Sequence, residues 1–365
     1  MTAVQAAVGP LNTGSWTGPT IDADVHVAVP GIDVLLPHLA DFWVEYVHES
    51  NFQMPPGASQ IYPPGAPTTC RPEWRAADGT PAGTDLAMLQ REVLDPLRVE
   101  RAVVNCSWAV DTIRHPDFSL ALARAINDWL VAEWLDRDPR LRASLVVPGH
   151  DPAGAATEID RIGGHPGFVQ VLLPSHSMRL YGNRLWHPMF EAIARHDLVA
   201  GVHFGGQSDG PPTPTGHPAW FLEEHAGELQ LWAAQLTSVI AEGLFEKFRT
   251  LRMTFSESGF AWMGGTMWRL DKEWKGLRRD IPWVVQPPSQ TIRERLKVTV
   301  QPLDAGPPEH YANAISWIGA PEMLMFASDY PHAHDQDIQR LLDAVPESAH
   351  AGIMGDNARA HYRGL

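Results

Sequence analysis

Ile21-Asp22-Ala23-Asp24-Val25-His26 is a short, largely apolar run that stops on residues able to ligate a metal. Three further segments end the same way: Val199-Ala200-Gly201-Val202-His203, Met253-Thr254-Phe255-Ser256-Glu257 and Leu324-Met325-Phe326-Ala327-Ser328-Asp329. Buried strands rarely finish on Asp, His or Glu, because an unpaired charge away from water is costly. Four such ends suggest convergence on a shared partner. A divalent metal is the simplest partner that satisfies acids and imidazoles together.

Working outward, the chain holds eight strand candidates: Ile21–His26, Arg101–Cys106, Ala143–Pro148, Gly167–Leu173, Leu198–Phe204, Leu251–Glu257, Leu296–Gln301 and Glu322–Asp329. Most are apolar and β-branched, as strands buried on both faces are. Helical periodicity falls between them, at Phe118–Leu135, Pro188–His196, Leu229–Phe248 and Asp335–Val345. Alternating strands and helices predict parallel strands with right-handed crossovers, and eight units predict a (β/α)8 TIM barrel. In that fold the active site lies at the strand C-termini, where the four ligand-type ends fall. Residues 1–20 read as a tail and 21–365 as one metalloenzyme domain. Long segments at about 35–87, 207–224 and 262–295 read as cap insertions, since loops of this length are usually lids or substrate walls.

The formal net charge of −15 argues against a nucleic-acid partner. Two cysteines, Cys70 and Cys106, are too few for a disulfide framework, and no apolar run reaches the roughly 20 residues of a membrane span. The first 20 residues lack a basic signal-peptide region. A cytoplasmic protein is expected, with a homodimer as the default oligomer of this fold.

Asp24-x-His26 places two side chains on one side of a strand end, although the motif alone is weak. His203 lies in Gly-Val-His-Phe-Gly-Gly, Glu257 in Phe-Ser-Glu-Ser-Gly, and Asp329 in Asp-Tyr-Pro-His, followed by His334 and Asp335. Each alone fits a structural role; together they read as a metal site. Glu224, His225 and His332 are available for a second ion. Glu257 and His332 are the candidate catalytic residues. His176, Arg184, His187 and Tyr330 fall near the mouth, where structural roles explain them as well. The stretch 268–279 carries Arg269, Lys272, Lys275, Arg278 and Arg279 beside Trp268 and Trp274. It could meet phosphates and stack an adenine, or it could be an amphipathic helix with solvated charges.

IDADVHVAVP, GVHFGG, SESGFAW, FASDYPH and IMGDNARAHY, in that order, resemble the metal-dependent amidohydrolase-related family that includes aminocarboxymuconate-semialdehyde and resorcylate-type decarboxylases. The resemblance implies that Asp24, His26, His203 and Asp329 bind a divalent metal. It also marks two departures: Asp24 where His is commoner, and Glu257 where the decarboxylases carry a catalytic His. Both add carboxylate. With its Asp-x-His start, its Glu-Ser-Gly-aromatic sixth strand and its long Trp/Arg-rich segment, the chain resembles a branch of non-haem diiron monooxygenases acting on coenzyme A thioesters, such as diterpenoid hydroxylases of secondary metabolism. The resemblance implies two iron ions, dioxygen, an external reductant and a coenzyme A-linked substrate; the basic, tryptophan-containing stretch, with Arg269, Trp274, Lys275 and Arg278, is then the candidate to hold the coenzyme A handle. The alternative is a zinc- or manganese-dependent hydrolase or decarboxylase, with Glu257 as general base. A catalytically inactive binding module is the least favoured reading.

Overall fold

A computed structural model describes residues 12–55, 70, 71, 74, 76, 78–206, 216–332 and 337–365. Eight parallel strands form one sheet in sequential order: β1 (Thr20–Val27), β2 (Val99–Cys106), β3 (Leu141–Val146), β4 (Phe168–His176), β5 (Val199–Gly206), β6 (Arg252–Ser256), β7 (Leu296–Thr299) and β8 (Leu324–Met325). The sheet closes between β1 and the chain just beyond β8. Ala23 N–H donates to Phe326 O (2.9 Å), Asp329 N–H to Asp24 O (3.0 Å) and His26 N–H to Tyr330 O (2.8 Å). The expected TIM barrel is therefore present, and each strand candidate falls on an observed strand. The last is shorter than expected: Pro321–Met323 forms a 3-10 turn, and beyond Met325 the chain is held mainly by β1.

Outside the barrel lie α1 (Asp41–Ser50), α2 (Pro116–Leu130), α3 (Pro152–Ile162), α4 (His187–Arg195), α5 (Phe221–Ala241), α6 (Ala261–Leu277), α7 (Pro288–Arg295), α8 (Tyr311–Ile318), α9 (Ile338–Asp343) and α10 (Asn357–His361). Local chemistry explains their starts. Proline occupies the first turn of α2, α3 and α4, where its missing N–H costs nothing. The Asp151 carboxylate accepts from Ala153 N–H (3.1 Å) and Gly154 N–H (2.9 Å), capping α3. α2 buries Phe118, Leu122, Ile126 and Trp129 along one stripe.

The barrel interior contains polar residues as well as apolar ones. Gln170 donates to Ser144 Oγ (2.8 Å) and accepts from Tyr362 Oη (3.1 Å), while Thr254 Oγ1 meets His361 Nε2 and Tyr362 Oη, each at 3.0 Å. The C-terminal residues thus close the N-terminal end of the barrel. Gly201 is required by this layer: a Cβ there would fall 2.1 Å from the Gln170 side chain.

The β1–β2 connection folds over the opposite, C-terminal end. Ala28 N–H donates to Gly83 O (2.8 Å), Gly83 N–H to Tyr330 Oη (3.2 Å) and Arg71 N–H to Pro331 O (3.0 Å). Gly83 and Arg71 fall within the segment expected as a cap, about residue 35 to 87, part of which lies outside the described residues. Residues 1–11 of the expected tail, 207–215 of the second long segment, and His334 and Asp335 also lie outside them. The 262–295 stretch is helical, contributing most of α6 and all of α7 between β6 and β7. Among the described residues no helix is long and apolar enough to cross a membrane.

Candidate metal centre

Six side chains from four strand ends meet at the C-terminal mouth. His26 Nε2 lies 3.0 Å from Asp329 Oδ1, 3.2 Å from His203 Nε2, and 3.7 Å from both Asp24 Oδ1 and Glu257 Oε1. His203 Nε2 is 3.4 Å from Asp24 Oδ2. His332 Nδ1 is 3.1 Å from both Glu257 Oε1 and Asp329 Oδ1. Two groups of ligand atoms result, Asp24/His26/His203 and His26/Glu257/Asp329/His332, sharing His26. All three carboxylates are largely or fully buried.

The backbone aims these groups. A register shift between Asp22 and Val25 marks a bulge in β1 immediately before His26. Bulges beside active sites re-aim side chains in this way. Glu257 (φ 59°) and Asp329 (φ 53°) both adopt left-handed backbone, which costs a residue other than glycine about 1–3 kcal/mol. Surrounding bonds hold them there: Glu257 N–H donates to Thr299 Oγ1 (3.2 Å), and Asp329 N–H to Asp24 O. Asp22 clasps the seam behind the site. Its Oδ1 accepts from Ser328 N–H (2.9 Å), and burial pushes its pKa up to about 7 against the opposing effect of the Ser328 bonds.

The cluster fits a divalent cation on its own chemistry. Two imidazole nitrogens face each other at hydrogen-bond distance among three carboxylates. Asp24 Oδ2 is buried and makes no hydrogen bond. Burial alone would favour neutral His203, yet Asp24 and Glu257 push its pKa up to about 10. Burial likewise opposes a proton on His332, and Asp329 and Glu257 outweigh it, raising that pKa well above the ordinary imidazole value. A cation would relieve the same excess of negative charge that otherwise draws protons onto the imidazoles. His203 Nδ1 faces Phe204 O at 2.8 Å. A carbonyl can only accept, so Nδ1 carries the hydrogen and Nε2 is left for a ligand.

One contributor escaped sequence reasoning. Asn105, near the end of β2, is fully buried, and its Nδ2 donates to Asp24 Oδ1 at 2.7 Å. Its signal in the sequence is a polar residue late in an apolar strand, as at the four ligand-bearing strand ends.

The other candidates are dispersed. Glu224 and His225 lie early in α5 and belong to neither ligand group; the His225 ring stacks near Phe204 and Phe221. His176 pairs with Glu228 instead. Arg184 lies 3.5 Å from Glu242, and the His187 ring packs on Phe248. Tyr330 is buried, with its hydroxyl on Gly83 N–H.

Beside His203 opens a cavity of about 470 Å³, lined by Trp108, Val110, Leu172 and Phe204, by Asp111, and by Met54 of the cap. Its walls come from the β2–β5 side of the mouth, so a ligand there would reach the cluster across His203.

Fold and cluster together define a TIM-barrel protein of the kind that uses strand-end acids and imidazoles as metal ligands. The amidohydrolase family model matches residues 21–364, and the chain belongs to that family. Over 230 residues it is 26% identical to gamma-resorcylate decarboxylase of Rhodococcus jostii, covering 58% of this chain and 65% of that protein, a little under two thirds. The gamma-resorcylate decarboxylase of a Rhizobium species is 24% identical over 303 residues, covering 76% and 88%. Among solved structures, 5-carboxyvanillate decarboxylase of Sphingomonas paucimobilis superposes with a TM-score of 0.68 at 20% identity, covering 94% of this chain and 99% of that one. The 5-carboxyvanillate decarboxylase of Novosphingobium aromaticivorans, complexed with manganese and 4-hydroxy-3-methoxy-5-nitrobenzoic acid, gives 0.69 at 18% identity, covering 96% and 99%.

These relatives overturn the diiron monooxygenase reading, and with it dioxygen, a reductant and a coenzyme A thioester as partners. The physical error was to treat added carboxylate as a sign of redox iron. A hard His/carboxylate set suits manganese equally well. The imidazole missing from the β6 end is also not lost, because His332 delivers one to Glu257 from beyond β8. The proposed thioester carrier is a helix surface. Arg269 and Lys272 pair with Glu273, Arg278 donates to Lys275 O, Trp274 donates to Val284 O, and Trp268 packs on Trp317. Lys275 lies on the same last turns of α6. Arg278 follows Ala261 by 17 residues, so it lies about 25 Å along the helix from the mouth.

Proposed function

We propose that this chain is a divalent-metal-dependent decarboxylase of a small aromatic acid bearing a hydroxyl next to its carboxyl group. The observation that carries this reading is the ligand cluster opening across His203 into a mainly apolar cavity of about 470 Å³, a size that suits one small ligand. The names of the relatives support the reaction class, and the manganese in the Novosphingobium structure supports that metal. In this reading residues 21–365 act as one domain. Two cysteines, too few for a disulfide framework, favour the cytoplasm.

Asp24, His26, His203 and Asp329 would hold the metal, with Asn105 orienting Asp24. When bound, the metal supplies Lewis-acid anchorage for the carboxylate and hydroxyl oxygens of the substrate. The chain's own residues do the rest. Trp108, Val110, Leu172 and Phe204 hold the ring and exclude water. Glu257 Oε1 and His332 Nδ1, 3.1 Å apart, share a proton and deliver it to the ring carbon that bears the carboxyl group. The bond from that carbon to the carboxylate then breaks. Its electron pair restores the aromatic ring, carbon dioxide leaves, and the pair recovers its proton from water.

The test is anaerobic incubation of the manganese-loaded protein with 2,6-dihydroxybenzoate and 5-carboxyvanillate, following carbon dioxide and ring product by mass. The expected result is loss of the carboxyl group without oxygen. Glu257, a carboxylate able to act as general base, keeps hydrolysis as the second reading. Cleavage of an aryl amide or ester, with no carbon dioxide from any ortho-hydroxy acid, would select it.

A further inference from the structure

The mouth holds a second buried group of titratable side chains that the proposed reaction does not use. His176 and Ser175 end β4, and Glu228 reaches them from α5. All three are buried. His176 Nε2 is in close contact with Glu228 Oε1, and Ser175 Oγ lies 3.3 Å from Glu228 Oε2. Ser175 Oγ also accepts from Gly205 N–H at 3.2 Å.

We infer that Glu228 and Ser175 are positioning residues for His203, acting through the Phe204–Gly205 peptide group. That single peptide is held at both ends. Its N–H donates to Ser175 Oγ, and its carbonyl, Phe204 O, accepts from His203 Nδ1 at 2.8 Å. The hydroxyl proton of Ser175 can go to Glu228 Oε2 or to Gly205 O, both at 3.3 Å. The carboxylate is the stronger acceptor and takes it. The chain of bonds therefore runs from the charge of Glu228 through Ser175 and one peptide to His203, whose Nε2 faces the ligand cluster. Bonds in such a chain polarise one another, so an anion at one end strengthens the carbonyl's hold on His203. Outer groups that fix an imidazole's tautomer and plane raise metal affinity.

The backbone is shaped for this contact. Gly205 (φ 117°) and Gly206 (φ 93°) carry β5 over the end of β4 in a conformation that other residues rarely adopt. A Cβ on Gly206 would fall 2.3 Å from Pro174 Cβ. The same helix also supplies a built-in control. Gln235, two turns beyond Glu228, donates to Ser175 O (2.8 Å) and Ser177 Oγ (3.0 Å) and accepts from Tyr181 N–H (2.9 Å). It ties α5 to the same strand end without touching the Phe204–Gly205 peptide.

This inference rests on His203 being a metal ligand, and the experiment separates the two ideas. Manganese affinity is measured by chelator competition on the full chain for wild type, His203→Ala, Ser175→Ala, Glu228→Ala, Glu228→Gln and Gln235→Ala. Metal-free melting curves report folding. Ser175→Ala and Glu228→Ala should weaken manganese binding ~10–100-fold. Glu228→Gln, which keeps the shape but not the charge, should fall between them and wild type. Gln235→Ala should lower the metal-free melting temperature and leave affinity unchanged. If His203→Ala binds manganese as wild type does, the metal-site reading itself fails. If His203→Ala loses the metal while Ser175→Ala and Glu228→Ala keep it, the relay alone is wrong. Equal loss of affinity in Gln235→Ala and Ser175→Ala would also overturn it, because general loosening of α5 would then explain both.

Discussion

At the N-terminal end of the barrel, Tyr362, Gln170, Ser144, Thr254 and His361 answer one another bond for bond. At the C-terminal end, Asp24, Glu257 and Asp329 face His26, His203 and His332, with Asp24 Oδ2 left without a hydrogen bond and two residues in left-handed backbone. Both ends bury polar groups inside the same sheet. A buried network whose members satisfy each other stabilises and specifies the fold, whereas one with surplus charge is held in place to receive something else. The contrast sets a self-satisfied polar layer against the one that, in the proposed function, receives the metal, without reference to sequence position.

The contrast breaks most readily at the mouth. His26 belongs to both ligand groups, so His26→Ala should reduce metal affinity roughly 100-fold or more and abolish turnover, as read by metal analysis after dialysis. Asp329→Ala should do the same. Unchanged metal content in both would remove the distinction between the two ends. Chelation of the wild-type protein should lower its melting temperature, because the three carboxylates then lose their counter-ion; readdition of manganese should restore it.

The opposite end should respond in stability alone. Tyr362→Phe leaves Gln170 Oε1 without its donor and takes one partner from Thr254, a loss of about 1–3 kcal/mol in denaturant unfolding with metal content intact. If Tyr362→Phe also strips the metal, the two layers are coupled and the contrast is too simple.

His361 sharpens the comparison through pH. Burial, helped by Lys297 and Arg252, lowers its pKa well below the ordinary value, so the folded protein keeps it neutral. The unfolded chain takes up a proton near pH 6.5, so the unfolded state binds more protons below that point. Stability from this group is therefore full above about pH 6.5 and declines as pH falls toward the depressed folded value. His361→Gln should show a flatter dependence of its urea midpoint between about pH 6.5 and 5. An identical slope would mean that His361 does not carry this dependence.

The smallest expected effect is at Arg278, the residue that follows the end of α6. Arg278→Ala should leave metal binding and turnover of a small aromatic acid unchanged, since its bond is local and solvent-exposed. A large rise in KM would return that helix to the active site.

What the sequence by itself determined is the barrel and the core of the mouth. Strand runs such as Val199–His203 are apolar up to the last residue, and the pattern is legible because burial on both faces of a barrel strand demands it. The ligand-type residues stood out for the same reason, as charges where an apolar strand should have ended. Only the tertiary structure decided how those charges are shared. It brought His332 to Glu257, Asn105 to Asp24 and Glu228 to Ser175, pairs separated by 75, 81 and 53 positions. It also left Glu224 and His225 outside both ligand groups, and set the cations of α6 on a solvent-facing helix. Residue type and spacing report what a side chain can do. Its partner is fixed by how the strands close and how the loops return over their ends, and that follows from the packing of the whole chain.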